Sequence, residues 1–115
     1  MANISVVGRI VSDDIELKIS ANNRPYLRFD LAERTGKGAY ARTQYYQVVA
    51  FGAIASQFAK RGLCRGALIS VEGTLELEDY LKRDGWTRDK RLKVIALRWR
   101  YLQPYDTKVP EQVEE

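Results

Sequence analysis

Apolar and polar residues alternate along much of this chain with the period of two that sends successive side chains of a strand to opposite faces. In residues 26–31, Leu27, Phe29 and Leu31 alternate with Tyr26, Arg28 and Asp30, so one face is apolar and the other carries a ring and a guanidinium. Residues 67–78, ALISVEGTLELE, place Ile69, Val71, Leu75 and Leu77 inward and Glu72, Glu76 and Glu78 outward, and Tyr80 continues the outward parity. Residues 91–102, RLKVIALRWRYL, start with Leu92, Val94 and Ala96 on one parity and finish with Leu97, Trp99 and Tyr101 on the other, which predicts a bulge or burial on both faces. Residues 4–11 form a further extended segment, with Gly8 inside it where a bend, a bulge or a close backbone approach is needed.

Residues 43–52, TQYYQVVAFG, are bulky on both faces: Tyr46, Val48 and Ala50 share one parity, and Tyr45, Gln47, Val49 and Phe51 share the other. At most one of the adjacent tyrosines can easily enter the core, which leaves the other to cover a second subunit or to offer its ring to a ligand. Residues 53–62, AIASQFAKRG, have helical spacing instead, with Ile54 and Phe58 four apart, Ala55 and Ala59 likewise, and Gly62 to end the element. Three strands, a helix and two strands predict a mainly β chain, because parallel α/β proteins need more crossover helix than this. The expected architecture is a five-stranded oligonucleotide-binding barrel with one short helix between strands 3 and 4 plugging an end, with an open mixed sheet as the alternative that the scarcity of helix disfavours. Residues 1–103 are expected to form this one domain, and residues 104–115, with two prolines and no apolar period, a short acidic tail.

Charge narrows the choice of partner. The net charge is +4, but residues 106–115 carry −3, which leaves +7 on the rest of the 115-residue chain, an excess that attracts polyanions. No histidine is present, so the commonest general base and metal ligand is missing. Cys64 is the sole cysteine, which rules out an intrachain disulfide and is expected to be a small buried apolar residue. The acidic groupings Asp13, Asp14, Glu16 and Glu76, Glu78, Asp79 have the ordinary explanation of solvated faces. RTGKG, residues 34–38, is too short to specify a phosphate cradle. No catalytic, metal-binding or cofactor-binding residue is expected. The N-terminus lacks a signal-peptide pattern, and no apolar run approaches the roughly 20 residues of a membrane helix, so an intracellular, non-membrane protein is expected.

Basic residues interleaved with outward rings are the informative feature. In residues 80–91, YLKRDGWTRDKR, Tyr80 and Trp86 stand among Lys82, Arg83, Arg88, Lys90 and Arg91, and Asp84-Gly85 suits a hairpin reversal with Trp86 near its tip. Trp86 either folds back over a barrel or neighbouring subunit, or serves as a platform for a nucleobase; the surrounding positive charge favours the platform. Residues 33–42, ERTGKGAYAR, form a second basic loop with Arg34, Lys37 and Arg42 against Glu33. The two loops flank a sheet face offering Tyr26, Arg28, Tyr45 and Phe51. Cations that track phosphates and rings that stack on bases suit single-stranded nucleic acid, whereas duplex readout favours an exposed helix.

The ordered stretches NISVVGRI, DDIELK, RFDLA, TQYYQVVAFG and RGALISVEGTLE, with a final strand after the basic hairpin, resemble the bacterial single-stranded DNA-binding protein family over roughly residues 3–102. The resemblance implies an oligonucleotide-binding barrel, usually a homotetramer, that binds and protects single-stranded DNA in replication, recombination and repair in the cytoplasm, at the nucleoid. It implies stacking roles for Tyr45, Phe51 and Tyr80, a basic role for Arg65, and a position near a subunit contact for Tyr46. Tyr45 is thus expected to serve DNA and Tyr46 packing or assembly. With the composition-based candidates, the expected stacking set is Tyr26, Tyr45, Phe51, Tyr80 and Trp86. The expected phosphate set is Arg28, Lys37, Arg42, Arg65, Lys82, Arg83, Arg88, Lys90 and Arg91. This chain departs from the family pattern at Lys37, where a tryptophan is usual, and at Asp79, where a basic residue is usual. The usual acidic tip that recruits repair proteins is not matched at the C-terminus. A dimeric primosomal replication-restart protein of the same fold is the alternative.

Overall fold

The computed structural model describes residues 2–103. Its strands are β1 (Ala2–Ile10), β2 (Lys18–Ile19), β3 (Pro25–Thr35), β4 (Arg42–Phe51), β5 (Leu68–Leu81) and β6 (Arg88–Gln103). A 3-10 turn, Gly38–Tyr40, joins β3 to β4, and α1 (Gly52–Arg61) joins β4 to β5. The strands form one sheet in the order β1-β5-β6-β4-β3-β2. Its ladders are antiparallel except that of β4 with β6, which run parallel from Gln47↔Lys93 to Val49↔Ile95.

This corrects the expected five-stranded closed barrel in two respects. A sixth strand, β2, pairs with β3 through Lys18↔Tyr26 and Ile19↔Pro25; two residues are too short for a periodic signal. The sheet is also not sealed by a full ladder. β1 is paired with β5 from Ala2↔Leu75 to Arg9↔Leu68 and meets β3 only at Arg9↔Ala32 and Ile10↔Leu31. Gly8 makes that meeting possible, because a Cβ there would lie 2.4 Å from the Ala32 carbonyl oxygen. Of the options that Gly8 left open, close backbone approach is the one used. The acidic tail expected over residues 104–115 lies outside the described residues.

The core follows the alternation. Leu27, Phe29 and Leu31 of β3, Tyr46, Val48 and Ala50 of β4, Ile69 and Val71 of β5, and Val94 and Ala96 of β6 are all buried. α1 inserts Ala55 and Phe58 into them, and Gly62 ends it in the left-handed conformation (φ 69°), its N–H donating to the Ala59 carbonyl. Phe58 meets Phe29 edge-on at 5.3 Å and stacks on Trp99 at 4.4 Å between ring centroids. Truncating a ring so enclosed costs about 3–5 kcal/mol.

The parity switch in β6 is a bulge. Register passes from Glu72↔Arg98 to Gly73↔Ala96, which leaves Leu97 unpaired and exposed and returns Trp99 to the core side opposite Val71. Gly73 admits the backbone of β6 at that point, since a Cβ there would fall 2.0 Å from the Ile95 carbonyl oxygen.

Two side chains depart from expectation. Leu77 has inward parity yet is largely exposed, as is Leu81, because the β5–β6 ribbon continues past the body of the domain and, among the described residues, nothing covers these side chains. Cys64 is exposed rather than buried. It occupies the turn after α1, where its carbonyl accepts the Ala67 N–H at 3.1 Å, and small size alone does not draw a turn residue inside.

Candidate nucleic-acid interface

The outer surface of β3 and β4 is ordered by their register. Tyr26 faces Phe51, Arg28 faces Val49, Asp30 faces Gln47 and Ala32 faces Tyr45. The same surface continues across β6 and β5: Lys93 lies beside Gln47 and opposite Glu76, Arg91 opposite Glu78, and Asp89 opposite Tyr80. Tyr26, Tyr45, Phe51 and Tyr80 therefore share one side of the sheet, as their parities predicted. Phe51 lies six positions after Tyr45 along β4, a span of roughly 20 Å, so the rings form separate steps instead of one stack.

Each step has its own surroundings. Tyr26 and Phe51 are tilted neighbours with centroids 6.4 Å apart. The Arg24 guanidinium lies 5.0 Å from the Phe51 centroid, and the Arg91 guanidinium 4.6 Å from that of Tyr80. Tyr45 is 61% exposed and carries no ring partner among the described residues. Tyr46, by contrast, is 5% exposed. Its hydroxyl donates to Glu33 Oε1 at 3.1 Å and accepts from Gln44 Nε2 at 3.3 Å. Burial, then the Glu33 carboxylate, pushes its phenol above the ordinary tyrosine value. The Tyr46 ring thus fills the core of this chain.

Two loops project beyond this surface. At the β5–β6 hairpin, Lys82 N–H donates to the Thr87 carbonyl at 2.8 Å and Gly85 N–H to the Lys82 carbonyl at 2.9 Å, closing the turn that Asp84-Gly85 suggested. Asp84 accepts from the backbone N–H groups of Trp86 and Thr87 and from the Thr87 hydroxyl. Those bonds, the Thr87 hydroxyl first, hold its carboxyl below the ordinary aspartate value. The result presents Trp86 at the tip, 81% exposed. The β3–β4 loop presents Tyr40, 86% exposed, between Lys37 and Arg42.

The expected cations divide by place. Arg28 lies exposed on the Tyr26 side of β3, Arg42 lies exposed at the start of β4 on the parity of Tyr46, opposite Thr35, and Lys37 lies in the loop between the two strands. On the hairpin, Lys82 pairs with Asp89 at 3.5 Å on the side of Tyr80. Arg91 and Lys93 share Glu78 at 2.9 and 3.2 Å, also on that side. Lys90 pairs with Asp79 at 3.3 Å, and that rung, like the one holding Arg88, faces the reverse of the ribbon. The side chains of Arg83 and Arg88 make no ion pair among the described residues. Arg65 stands apart at the β1–β3 crossing, bonded to Asp13 at 2.9 Å and to the Val11 carbonyl at 3.3 Å.

Sequence reasoning missed Arg24 and Tyr40. Arg24 precedes the β3 strand and gave no periodic signal, although the Arg-Pro-Tyr run beside a ring-bearing strand was visible. Tyr40 was visible as a ring inside a basic loop. Among the described residues, no three acidic, histidine or cysteine side chains are grouped to hold a metal, and no helix is long and apolar enough to cross a membrane.

Residues 1–102 match the family described as the single-strand binding protein family. The fold is similar to that of the small single-stranded DNA-binding protein from Streptomyces coelicolor, with TM-score 0.74 and 21% identity over 88% of this chain and 94% of that one. It is also similar to the mitochondrial single-stranded DNA-binding protein Rim1 of S. cerevisiae, with TM-score 0.64 and 24% identity over 91% of this chain and 97% of that one. No curated protein sequence matches the chain significantly.

Proposed function

Because the chain belongs to the single-strand binding protein family over residues 1–102, we propose that it binds and covers single-stranded DNA with little regard to sequence, in replication, recombination and repair. It acts by binding and not as an enzyme. The observation that carries this reading is the sharing of one sheet side by Tyr26, Tyr45, Phe51 and Tyr80, with cations on the same strands and on both flanking loops.

Bases stack on these rings in succession, each worth roughly 1–3 kcal/mol and each indifferent to base identity because every base has a π-face. Trp86 and Tyr40 extend the path at its two projecting loops, and Arg24 lies against the base on Phe51. The phosphates follow Arg28, Lys37, Lys82, Arg83 and Arg91, and Arg42, on the Tyr46 parity at the start of β4, adds to the attracting field. Arg88 and Lys90, on the reverse of the ribbon, and Arg65, at the β1–β3 crossing, contribute to the attracting field. The protein assembles as a homotetramer; the apolar side chains left uncovered at Leu77, Leu81 and Leu97 support self-association.

Titration with oligo-dT of graded length at low salt, followed by light scattering of the free and bound protein, tests this. Binding to dT and mixed-sequence oligonucleotides alike is expected, with log K falling against log salt by about 0.7 per phosphate neutralised. A protein that prefers duplex, or whose affinity ignores salt, would not be a single-strand binder of this kind.

A further inference from the structure

The ribbon formed by the outer halves of β5 and β6 carries carboxylates among its cations, and they are not distributed at random. Directly opposed residues of an antiparallel pair lie on the same side of the ribbon, and successive rungs alternate. Tyr80↔Asp89 and Glu78↔Arg91 are on one side, and Asp79↔Lys90 between them is on the other. On the Tyr80 side, Asp89 holds Lys82 at 3.5 Å, and Glu78 holds both Arg91 and Lys93. Arg91 is at the same time laid over the Tyr80 ring. Lys82, Arg91 and Lys93 are therefore already matched to carboxylates in the free protein.

We infer that Asp89 and Glu78 are affinity-setting residues of the single-strand interface: they hold Lys82, Arg91 and Lys93 in pairs that DNA phosphates must take over. This rests on the single-stranded DNA reading above. A phosphate that captures a free lysine releases a counterion from the DNA. One that captures Lys82 from Asp89 also leaves a carboxylate that draws a cation back, so the exchange is nearly neutral towards salt. The Lys82–Asp89 pair is half exposed on both partners and hence weak enough to exchange. The Glu78 pairs are better shielded and give way later. Removing Arg91 from Glu78 also uncovers Tyr80, so phosphate capture and base stacking occur together at this step.

Asp79 is the built-in control. Its pair with Lys90 has similar length, similar exposure and the same charge types on the same ribbon, but faces away from Tyr80. The test compares Asp89→Asn, Asp79→Asn and Glu78→Gln with the unaltered protein, titrating oligo-dT across a salt series. Asp89→Asn is expected to tighten binding several-fold at low salt and to steepen the log K against log salt slope by about 0.7. Glu78→Gln, which frees two cations, steepens it by up to about 1.4. Asp79→Asn raises affinity only by the small uniform effect of one added positive charge and leaves the slope unchanged. Equal behaviour of the Asp89 and Asp79 variants overturns the inference while the DNA-binding reading stands. Absence of oligo-dT binding by the unaltered protein at low salt overturns both.

Discussion

Tyr45 and Tyr46 are adjacent in β4 and belong to different worlds: Tyr45 is 61% exposed opposite Ala32, and Tyr46 is 5% exposed with its hydroxyl on Glu33. The strand's pleat separates the two rings, and their substitutions should separate as cleanly. Tyr45→Ala is expected to weaken dT and dC oligonucleotide binding alike by roughly 1–3 kcal/mol while the melting temperature holds. Tyr46→Ala should cost about 3 kcal/mol or more of stability through the cavity it opens. Thermal melts and titrations at matched salt distinguish the two; a Tyr45 variant that melts early while binding normally would reverse the assignment of faces.

The two tryptophans report different events. Trp86 is exposed at the hairpin tip, whereas Trp99 stacks on Phe58 at 4.4 Å. DNA should therefore quench Trp86 and leave Trp99 nearly silent, and unfolding should change Trp99. Trp86→Phe is expected to remove most of the fluorescence response to oligo-dT. Retention of the full quench in that variant would shift the reporting site to Trp99.

Tyr40 and Arg24 should contribute although neither has a periodic strand signal. Tyr40→Ala removes an almost fully exposed ring, so binding should weaken by roughly 1 kcal/mol with no loss of stability. Arg24→Ala removes the guanidinium over Phe51. Its loss should reduce affinity and lower the magnitude of the salt slope by about 0.7 if the guanidinium also meets a phosphate, whereas Arg24→Lys should restore the slope without the full affinity. Salt-dependent titration of both variants gives the answer; an unchanged affinity for each would confine the path to the strands.

Acid should loosen the ribbon through Glu78. Hydrogen bonds from Arg91 and then Lys93 hold its carboxyl below the ordinary glutamate value. A depressed carboxyl stabilises the fold above its unfolded value, about 4.3, and that contribution is lost as pH falls through the lower folded value. The group is partly exposed, so the effect is under about 1 kcal/mol. Melts at pH 7 and near pH 3 should show Glu78→Gln losing less stability between the two than the unaltered protein does. Parallel losses would mean that the pairs with Arg91 and Lys93 exert no net stabilisation in solution.

Local alternation in the sequence was enough to assign β3, β4 and β5, to place Leu27, Phe29, Leu31 and Ile69 inside and to put Tyr80 on the outward parity, because a strand's side-chain period is a property of its backbone; in β4, bulky on both faces, it separated Tyr45 from Tyr46 without saying which one the core would take. The helix and its Gly62 end were legible for the same reason, since spacing of four and a left-handed cap are local. Sheet closure was not. It depended on β1 being paired almost wholly with β5 and touching β3 at two positions, a choice between partners that are remote in sequence. The exposure of Leu77 likewise depended on where the body of the domain ends beneath a ribbon whose own pattern continues unchanged. Most of all, alternation could mark Lys82, Lys90 and Arg91 as basic but could not say which carboxylate each would meet. Register decides that, one rung facing Tyr80 and the next facing away, and register is set only when two strands pair.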